Sequence, residues 1–138
     1  MSLVIDASLT MAWYFEDEST PATDALLDRV ADAGAMVPSL WRLEVANAFQ
    51  TAIRRQRIDA VYRDASLAEL ALMPITVDAD TSSYAWSATL RLAERFSLTL
   101  YDAAYLELAQ RRSLPLATLD RDLRAAAPVL HVGLLGMA

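Results

Sequence analysis

A short apolar run near the start of the chain is the feature that most constrains the fold. Leu3, Val4 and Ile5 are followed directly by Asp6. Such a run is typical of a strand that is buried on both faces, in the middle of a parallel sheet covered by helices. Asp6 would then lie at the carboxyl end of a central strand, where open α/β sheets bind ligands. The alternative is that Asp6 only opens a turn, since aspartate readily bonds to its own backbone.

Apolar runs and helical patterns alternate along the rest of the sequence. Four further strands are predicted, at 35–37, 75–77, 114–118 and 129–132. The predicted helices cover about 7–15, 21–33, 39–56, 60–73, 79–96, 101–112 and 120–126. This alternation predicts an α/β fold, with a parallel sheet and helices on both of its faces. A chain of 138 residues is expected to form a single domain over residues 1–138.

Capping residues predict several of the helix ends. Thr20 followed by Pro21 has the form of an N-cap with proline at the first helical position, and Gly34 ends that helix. Asp59 is predicted to cap the helix at 60–73, and Asp78 is predicted to cap the helix at 79–96. The three tryptophans fall within helical periodicity and are expected to be core residues rather than base-stacking platforms; they are Trp13, Trp41 and Trp86.

Composition limits the function classes. The absence of cysteine excludes disulfides, thiolate metal sites and a thiol nucleophile. No apolar run approaches the ~18 residues needed to span a bilayer, and no signal-peptide pattern is present, so we expect a cytoplasmic protein without a membrane partner. With 18 acidic and 12 basic residues the net charge is −6, which disfavours passive nucleic-acid binding. An acidic cluster that holds a divalent cation can nevertheless present a positive centre to a phosphate.

Glu44 is the second acidic residue in a position suited to chemistry. It lies among mostly apolar neighbours on the helix predicted at 39–56, and Asn47 follows three residues later on the same side. Burying a carboxylate is costly unless it is paired or bound to a metal. The alternative is an acid on the solvated face, paired with Arg54 or Arg55.

Two further aspartates complete the set. Asp102 begins a predicted helix, where it could serve as a metal ligand, although Thr99 and Asp102 also fit a capping box. Asp120 follows a predicted strand, as Asp6 does, and could equally be the N-cap of the short helix after it. Asp122 competes with Asp120 for the same role.

Together these residues resemble the PIN-domain ribonucleases, and among them the VapC-type toxins of toxin–antitoxin pairs. The resemblance covers essentially the whole chain. It is carried by Val4-Ile-Asp6-Ala-Ser8, Glu44 with Asn47, Tyr101-Asp102-Ala-Ala104 and Thr118-Leu-Asp120-Arg-Asp122. It implies a PIN-like three-layer α/β/α sandwich on a central parallel sheet. It also implies that magnesium or manganese is held by an acidic cluster of Asp6, Glu44, Asp102 and Asp120, with Asp6 and Asp102 as direct ligands and the other two direct or through water. Ser8, Asn47 and Thr118 would hydrogen-bond around this cluster.

The chemistry of these residue types agrees with the resemblance. Hard divalent cations prefer oxygen ligands, and they can activate water for attack on a phosphodiester. Histidine-based chemistry is not expected, because His131, the only histidine, lies in the predicted last strand far from the acids. Ser8 has no nearby base that would make it a nucleophile. Among the arginines, Arg121 is the best candidate for contacting an RNA phosphate, because it is adjacent to Asp120.

Three rival functions share the predicted architecture. A phospho-acceptor receiver domain needs a lysine on its last strand, and this chain has no lysine. A haloacid-dehalogenase-type phosphatase needs a second aspartate where Ser8 stands. The remaining alternative is a catalytically silent interaction module that has kept the fold. The four acids argue against it, because carboxylates that share one cavity without a metal raise one another's pKa values.

Partners follow only from the resemblance. It implies an RNA substrate, a cognate antitoxin protein that blocks the acidic groove, and a homodimer. Apolar positions on the helices between Ser39 and Met73 would suit such a surface, although a helical core explains them nearly as well.

Overall fold

The order in which the chain adds strands divides the molecule into layers. The computed structural model describes residues 2–137. It contains five parallel strands in the spatial order β3-β2-β1-β4-β5, with bounds β1 Val4–Ile5, β2 Ala35–Val37, β3 Ile75–Val77, β4 Leu116–Ala117 and β5 Leu134–Leu135. The chain first moves outward from β1 to β2 and β3, and then returns across the sheet to β4 and β5. Because crossovers between parallel strands are right-handed, these two directions place their helices on opposite faces.

The helices pack in agreement with this rule. Within residues 2–137 the helices are α1 Ala7–Ala12, α2 Pro21–Ala33, α3 Trp41–Arg54, α4 Ala60–Ala71, α5 Ala88–Phe96, α6 Leu100–Arg112 and α7 Arg121–Ala126. Helix α3 contacts both α1 and α4, whereas α6 contacts α5, α7 and the central strands β1 and β4. The predicted three-layer α/β/α fold on a parallel sheet is therefore confirmed.

The core lies at the two central strands and the helix that covers them. Val4, Ile5, Leu116 and Ala117 are fully buried, as the uniformly apolar first strand predicted. Helix α6 buries every residue from 103 to 109. A helix that is buried on all sides lacks a separate polar face, so α6 is held by its surroundings along most of its length.

The helix caps predicted at Thr20 and Asp59 are confirmed. Thr20 caps α2 through a reciprocal capping box with Thr23, Pro21 is the first helical residue, and the helix ends at Gly34. Asp59 caps α4 by accepting a hydrogen bond from the backbone N–H of Tyr62. Side-chain caps of this kind are determined by residues three positions apart, so they can be recognised in sequence.

Three predictions of secondary structure are wrong in detail. The strand predicted at 129–132 is a 3₁₀ helix, Ala127–Leu130, and the last strand follows it at β5. Pro128 suits the start of such a helix, and His131 adopts a left-handed conformation that ends it. The helix predicted at 79–96 is divided into a 3₁₀ helix, Thr81–Tyr84, and α5.

The third error concerns Trp86 and Asp78, which flank the short 3₁₀ segment. Trp86 is 92% exposed rather than buried, because it precedes the first turn of α5. Asp78 does not cap a helix; its buried carboxylate pairs with Arg111 on α6. Within residues 2–137, no helix has the length and apolar character needed to cross a bilayer.

Candidate active site

The strand order creates a crevice at the carboxyl ends of β1 and β4. These strands are neighbours, but the chain leaves them in opposite directions, towards β2 and β5 respectively. Ligands of open α/β sheets bind at such a reversal. Asp6 follows β1 directly, and Thr118 and Asp120 follow β4. The topology therefore brings residues separated by more than a hundred positions to one end of the sheet.

Asp6 is fixed on both of its carboxylate oxygens. The Ser8 hydroxyl donates to Asp6 Oδ1 at 2.7 Å, and the backbone N–H of Leu9 donates to the same oxygen at 2.9 Å. The Thr118 hydroxyl donates to Oδ2. Asp6 is thus both the N-cap of α1 and part of a link between two strands. The turn-forming and functional interpretations of this residue are compatible.

Ser8 and Thr118 also hold the loop that follows β4. The Ser8 hydroxyl accepts a hydrogen bond from the backbone N–H of Leu119 at 3.0 Å, and the Thr118 hydroxyl accepts one from the N–H of Asp120 at 2.9 Å. Each hydroxyl therefore donates to Asp6 and accepts from a backbone N–H of the loop after β4. Both residues contact an acid of the predicted cluster, and their role around a bound metal stays a prediction.

The buried position of Asp6 changes its acidity. Burial raises its pKa to about 6, against the hydrogen bonds from Thr118, Leu9 and Ser8, which lower it, and the carboxylate of Asp120 raises it further. A carboxyl group that resists ionisation in the absence of a counter-charge is a candidate for a functional site.

This shift predicts how stability depends on pH in the absence of metal. Because the folded-state pKa lies above the ordinary 3.8, the group favours folding at low pH, and this contribution is lost as the pH rises through about 6. Asp6→Asn cannot ionise. We therefore expect its melting temperature in chelator to rise relative to wild type between about pH 4 and pH 7. Melts across this range, with Asp28→Asn as an exposed control, test this; a constant difference would contradict it.

Glu44 projects from α3 and is held from the opposite layer. Its Oε1 accepts a hydrogen bond of 2.5 Å from the hydroxyl of Tyr105 on α6. Glu44 is half-buried, and in the described part of the chain no arginine forms an ion pair with it. The alternative of a surface pair with Arg54 or Arg55 is therefore not observed. Tyr105 was missed in the sequence because its partner lies 61 positions away.

Asp102 lies in the first turn of α6, next to the cap residue Thr99. The Thr99 hydroxyl accepts a hydrogen bond from the backbone N–H of Asp102 at 3.1 Å, which is one half of a capping box. The reciprocal bond from the Thr99 N–H to the Asp102 carboxylate is not formed between these two described residues. Burial raises the pKa of Asp102, and the carboxylates of Asp120 and Glu44 raise it further, only partly offset by Thr99.

Asp120 is better placed than Asp122 to be the fourth acid. Asp120 is half-buried and caps α7 by accepting from the N–H of Leu123 through Oδ2, at 2.9 Å. Its charge raises the pKa of both Asp6 and Asp102, whereas exposed Asp122 contributes only the smallest of the effects on Asp102. Burial and charge interactions thus favour Asp120 over Asp122, and its role as the fourth acid stays a prediction.

The remaining predicted residues lie at the periphery. Asn47 is exposed on α3, one turn beyond Glu44, and no hydrogen bond of its side chain is seen among residues 2–137. Arg121 is exposed at the first position of α7, next to Asp120. Arg124 is less available to an external ligand, because its guanidinium donates to the backbone carbonyls of Thr118 and Leu135 at 2.8 and 3.0 Å. Among the other arginines, Arg57 and Arg111 are held in ion pairs.

The oxygen atoms at the crevice suit a hard divalent cation as ligands. They are carboxylate and hydroxyl oxygens, which magnesium and manganese prefer, and no basic side chain in the described chain forms an ion pair with the four acids. Over residues 2–137, however, no three acidic side chains converge as a ready ligand set. The oxygens of Asp6 are engaged by protein donors, as is one oxygen each of Glu44 and Asp120. Magnesium typically uses one or two carboxylates and keeps several waters, so a smaller direct set suffices.

Sequence comparisons identify relatives over most of the chain. The PIN domain profile matches residues 3–128. Ribonuclease VapC3 from Mycobacterium tuberculosis (strain CDC 1551 / Oshkosh) is 34% identical over 109 residues, which is 78% of this chain and 75% of that protein. Ribonuclease VapC3 from Pyrobaculum aerophilum is 28% identical over 130 residues, covering 94% of this chain and 98% of that protein.

Solved structures share the fold. PAE2754 from Pyrobaculum aerophilum superposes with a TM-score of 0.70 at 24% identity, over 97% of this chain and 83% of that one. VapBC2 from Rickettsia felis, bound to a DNA fragment from its promoter, gives 0.63 at 11% identity over 97% of both chains. A toxin–antitoxin complex from Klebsiella pneumoniae gives 0.56 at 17% identity, over 87% and 88%. At these identities the likeness concerns the fold alone. The profile and the sequence identities show that the chain belongs to the PIN-domain family and, within it, to the VapC-type proteins.

Proposed function

We propose that this protein is a magnesium- or manganese-dependent endoribonuclease that hydrolyses RNA phosphodiester bonds, as the toxin of a toxin–antitoxin pair. The names of its relatives, ribonuclease VapC3 in two organisms, support the activity. The observation that carries the proposal is the placement of Asp6 and Asp120 after the neighbouring strands β1 and β4, with Asp102 and Glu44 interacting electrostatically at the same end of the sheet. Asp120 raises the pKa of Asp6, and Asp120 and Glu44 raise that of Asp102, while no basic side chain in residues 2–137 forms an ion pair with these acids.

The four acids have different proposed roles. We assign Asp6 and Asp102 as direct ligands, with Glu44 and Asp120 acting directly or through water. Bound magnesium or manganese would supply positive charge for the scissile phosphate and lower the pKa of a coordinated water. The hydroxyls of Ser8 and Thr118 fix the orientation of the Asp6 carboxylate. Pre-set ligands of this kind do not have to be reorganised when charge develops during the reaction.

The substrate requires positive charge that the acidic cluster lacks. Arg121 is exposed beside Asp120 and is not among the arginines held in ion pairs, so we assign it to the RNA phosphate near the cleaved bond. Arg111 is less suited to such a role, because its guanidinium is held by the buried carboxylates of Asp78 and Glu107, and Arg57 already pairs with Asp17 and Glu18.

An antitoxin and a second copy of the chain are proposed as partners. Two of the structural neighbours are a VapBC assembly and a toxin–antitoxin complex. On this chain, large apolar side chains of α3 and α4 and of the turn after them stay exposed, namely Leu43, Val61 and Leu72. Exposed apolar groups of this size are suited to a protein partner rather than to RNA. We place the pair in the cytoplasm.

A thermal melt tests the metal site independently of the RNA sequence. We expect manganese, added after chelator treatment, to raise the melting temperature of wild type. At ~100 times its dissociation constant, the metal should stabilise the folded state by ~2.7 kcal/mol if it does not bind the unfolded chain. Asp102→Asn should lose most of this rise.

The two outcomes separate the two functions. A rise in wild type that disappears in Asp102→Asn would support the acidic site and justify a search for the RNA. No rise in either protein would contradict the metal-dependent nuclease and favour the catalytically silent interaction module.

A further inference from the structure

Tyr105 is a buried tyrosine whose hydroxyl donates its hydrogen bond to the carboxylate of Glu44. Its side chain is 1% exposed, and its hydroxyl donates to Glu44 Oε1. A buried tyrosine hydroxyl needs a partner, but it can usually be satisfied by a backbone carbonyl. Here the partner is instead a member of the acidic cluster.

The bond joins the two helical layers at the crevice. Glu44 projects from α3, which belongs to the connection between β2 and β3, whereas Tyr105 belongs to α6 between β3 and β4. These connections lie on opposite faces of the sheet. Among residues 2–137 it is the one side-chain hydrogen bond that runs directly between α3 and α6. Tyr105 is also one helical turn beyond Asp102, so a single buried helix carries both groups.

The Glu44 carboxylate is held by fewer hydrogen bonds than that of Asp6. Asp6 receives three donors, whereas in the described chain the Glu44 carboxylate receives only the Tyr105 hydroxyl. A glutamate side chain has substantial rotamer freedom, and repulsion from Asp102 would favour turning it towards solvent. The hydrogen bond from the Tyr105 hydroxyl opposes both effects, and it leaves Oε2 of Glu44 available.

We infer that Tyr105 is a positioning residue, which holds Glu44 in the acidic cluster so that the cluster can bind a divalent cation. The inference rests on the proposed function, since it concerns the same metal site. Tyr105 itself would touch neither metal nor RNA; it would act through Glu44.

The test is manganese affinity of the intact chain, measured by titration calorimetry or by the electron paramagnetic resonance signal of free Mn²⁺. Tyr105→Phe removes only the hydroxyl and keeps the ring that fills the core. Loss of a group that orients a ligand typically costs about 10–100-fold in metal affinity, and we expect a rise in Kd in that range. Tyr62→Phe is the matched control, because it removes a hydroxyl that donates to the carbonyl of Tyr14 instead. Its Kd should equal that of wild type.

A melt in chelator separates positioning from simple structural support. Tyr105→Phe should melt close to wild type while binding manganese more weakly. Equal affinity in Tyr105→Phe and wild type would overturn the role of Tyr105 and leave the proposed function intact. No manganese binding by wild type would overturn both.

A second variant keeps the tyrosine and tests the same link. Glu44→Ala should weaken manganese binding, and adding Tyr105→Phe to it should cause no further rise in Kd, because the hydroxyl has lost the group through which it acts. Independent, additive losses would contradict the inference. If Tyr105→Phe failed to fold, Glu44→Asp, which draws the carboxylate back from Tyr105 and keeps its charge, should still show the weaker binding; wild-type affinity in that variant would overturn the inference.

Discussion

Asp102→Asn is expected to lower metal-dependent RNA cleavage by about 10²–10³-fold, the largest change in activity that we predict. A catalytic metal supplies several kcal/mol of transition-state stabilisation, and each ~1.4 kcal/mol corresponds to tenfold in rate. The substitution removes one charge from a proposed direct ligand without changing its size. Cleavage of total cellular RNA with added manganese measures the effect, because such a mixture contains many different target sequences.

Stability separates this prediction from the capping interpretation. The carboxylate of Asp102 is repelled by Asp120 and Glu44, so its loss should leave the melting temperature in chelator equal or higher. A clear loss of stability would instead assign the side chain to the helix cap. Asp28→Asn, an exposed change on α2, is the control and should retain both activity and stability. Full cleavage by Asp102→Asn would remove this residue from the proposed site.

The parts of the fold that could be predicted depend on short-range physics. The uniformly apolar run before Asp6 predicted a buried parallel strand, and Thr20, Pro21 and Gly34 predicted the ends of one helix. Such signals involve residues within a few positions of one another. The strand at 129–132 failed for the same reason, because a short apolar stretch does not distinguish a strand from a 3₁₀ turn, and the left-handed conformation of His131 has no strong signal in sequence.

The positions of the candidate site residues could be predicted from the sequence where a strand end determines them. Contacts between side chains of different layers could not. Asp6 and Asp120 could be placed because the carboxyl ends of neighbouring parallel strands share one edge of the sheet. The contact of Glu44 with Tyr105 depends on how two helical layers pack, and no local pattern encodes it. The same holds for Arg111, whose partner Asp78 lies 33 positions away in the chain.

Arg111 forms the most deeply buried ionic cluster in the described chain. Its guanidinium donates to the carboxylates of Asp78, at 2.6 Å, and Glu107, at 2.8 Å, and lies 4.5 Å from the ring centre of Tyr84. Asp78 and Glu107 are 2% and 4% exposed. Burial raises the pKa of Asp78, but the hydrogen bonds from Arg111, the Asp80 N–H and Thr81, together with the charge of Arg111, more than compensate, so the pKa lies below its ordinary value. The cluster thereby fastens α6 to the end of β3.

Arg111→Met is expected to destabilise the protein by about 3–5 kcal/mol, the largest loss of stability that we predict. Removing one partner of a buried ion pair leaves an uncompensated charge, and here the carboxylates of both Asp78 and Glu107 would lose their partner. Arg112→Met is the matched control. Its side chain is exposed on the next position of α6, so the change should stay within about 0.5 kcal/mol. Urea unfolding of both variants measures the difference.

A triple variant shows whether the charge or the packing of Arg111 is responsible. Adding Asp78→Asn and Glu107→Gln to Arg111→Met removes the stranded charges while keeping the size of each side chain. Most of the lost stability should return, since replacing all partners of a buried ionic cluster by neutral groups is often close to neutral. If the triple variant stays as unstable as Arg111→Met, the methylenes of Arg111 and its stacking on Tyr84 hold α6 in place, and the ion pairs contribute little. The same comparison then bears on the crevice, because α6 carries Asp102 and Tyr105 into it.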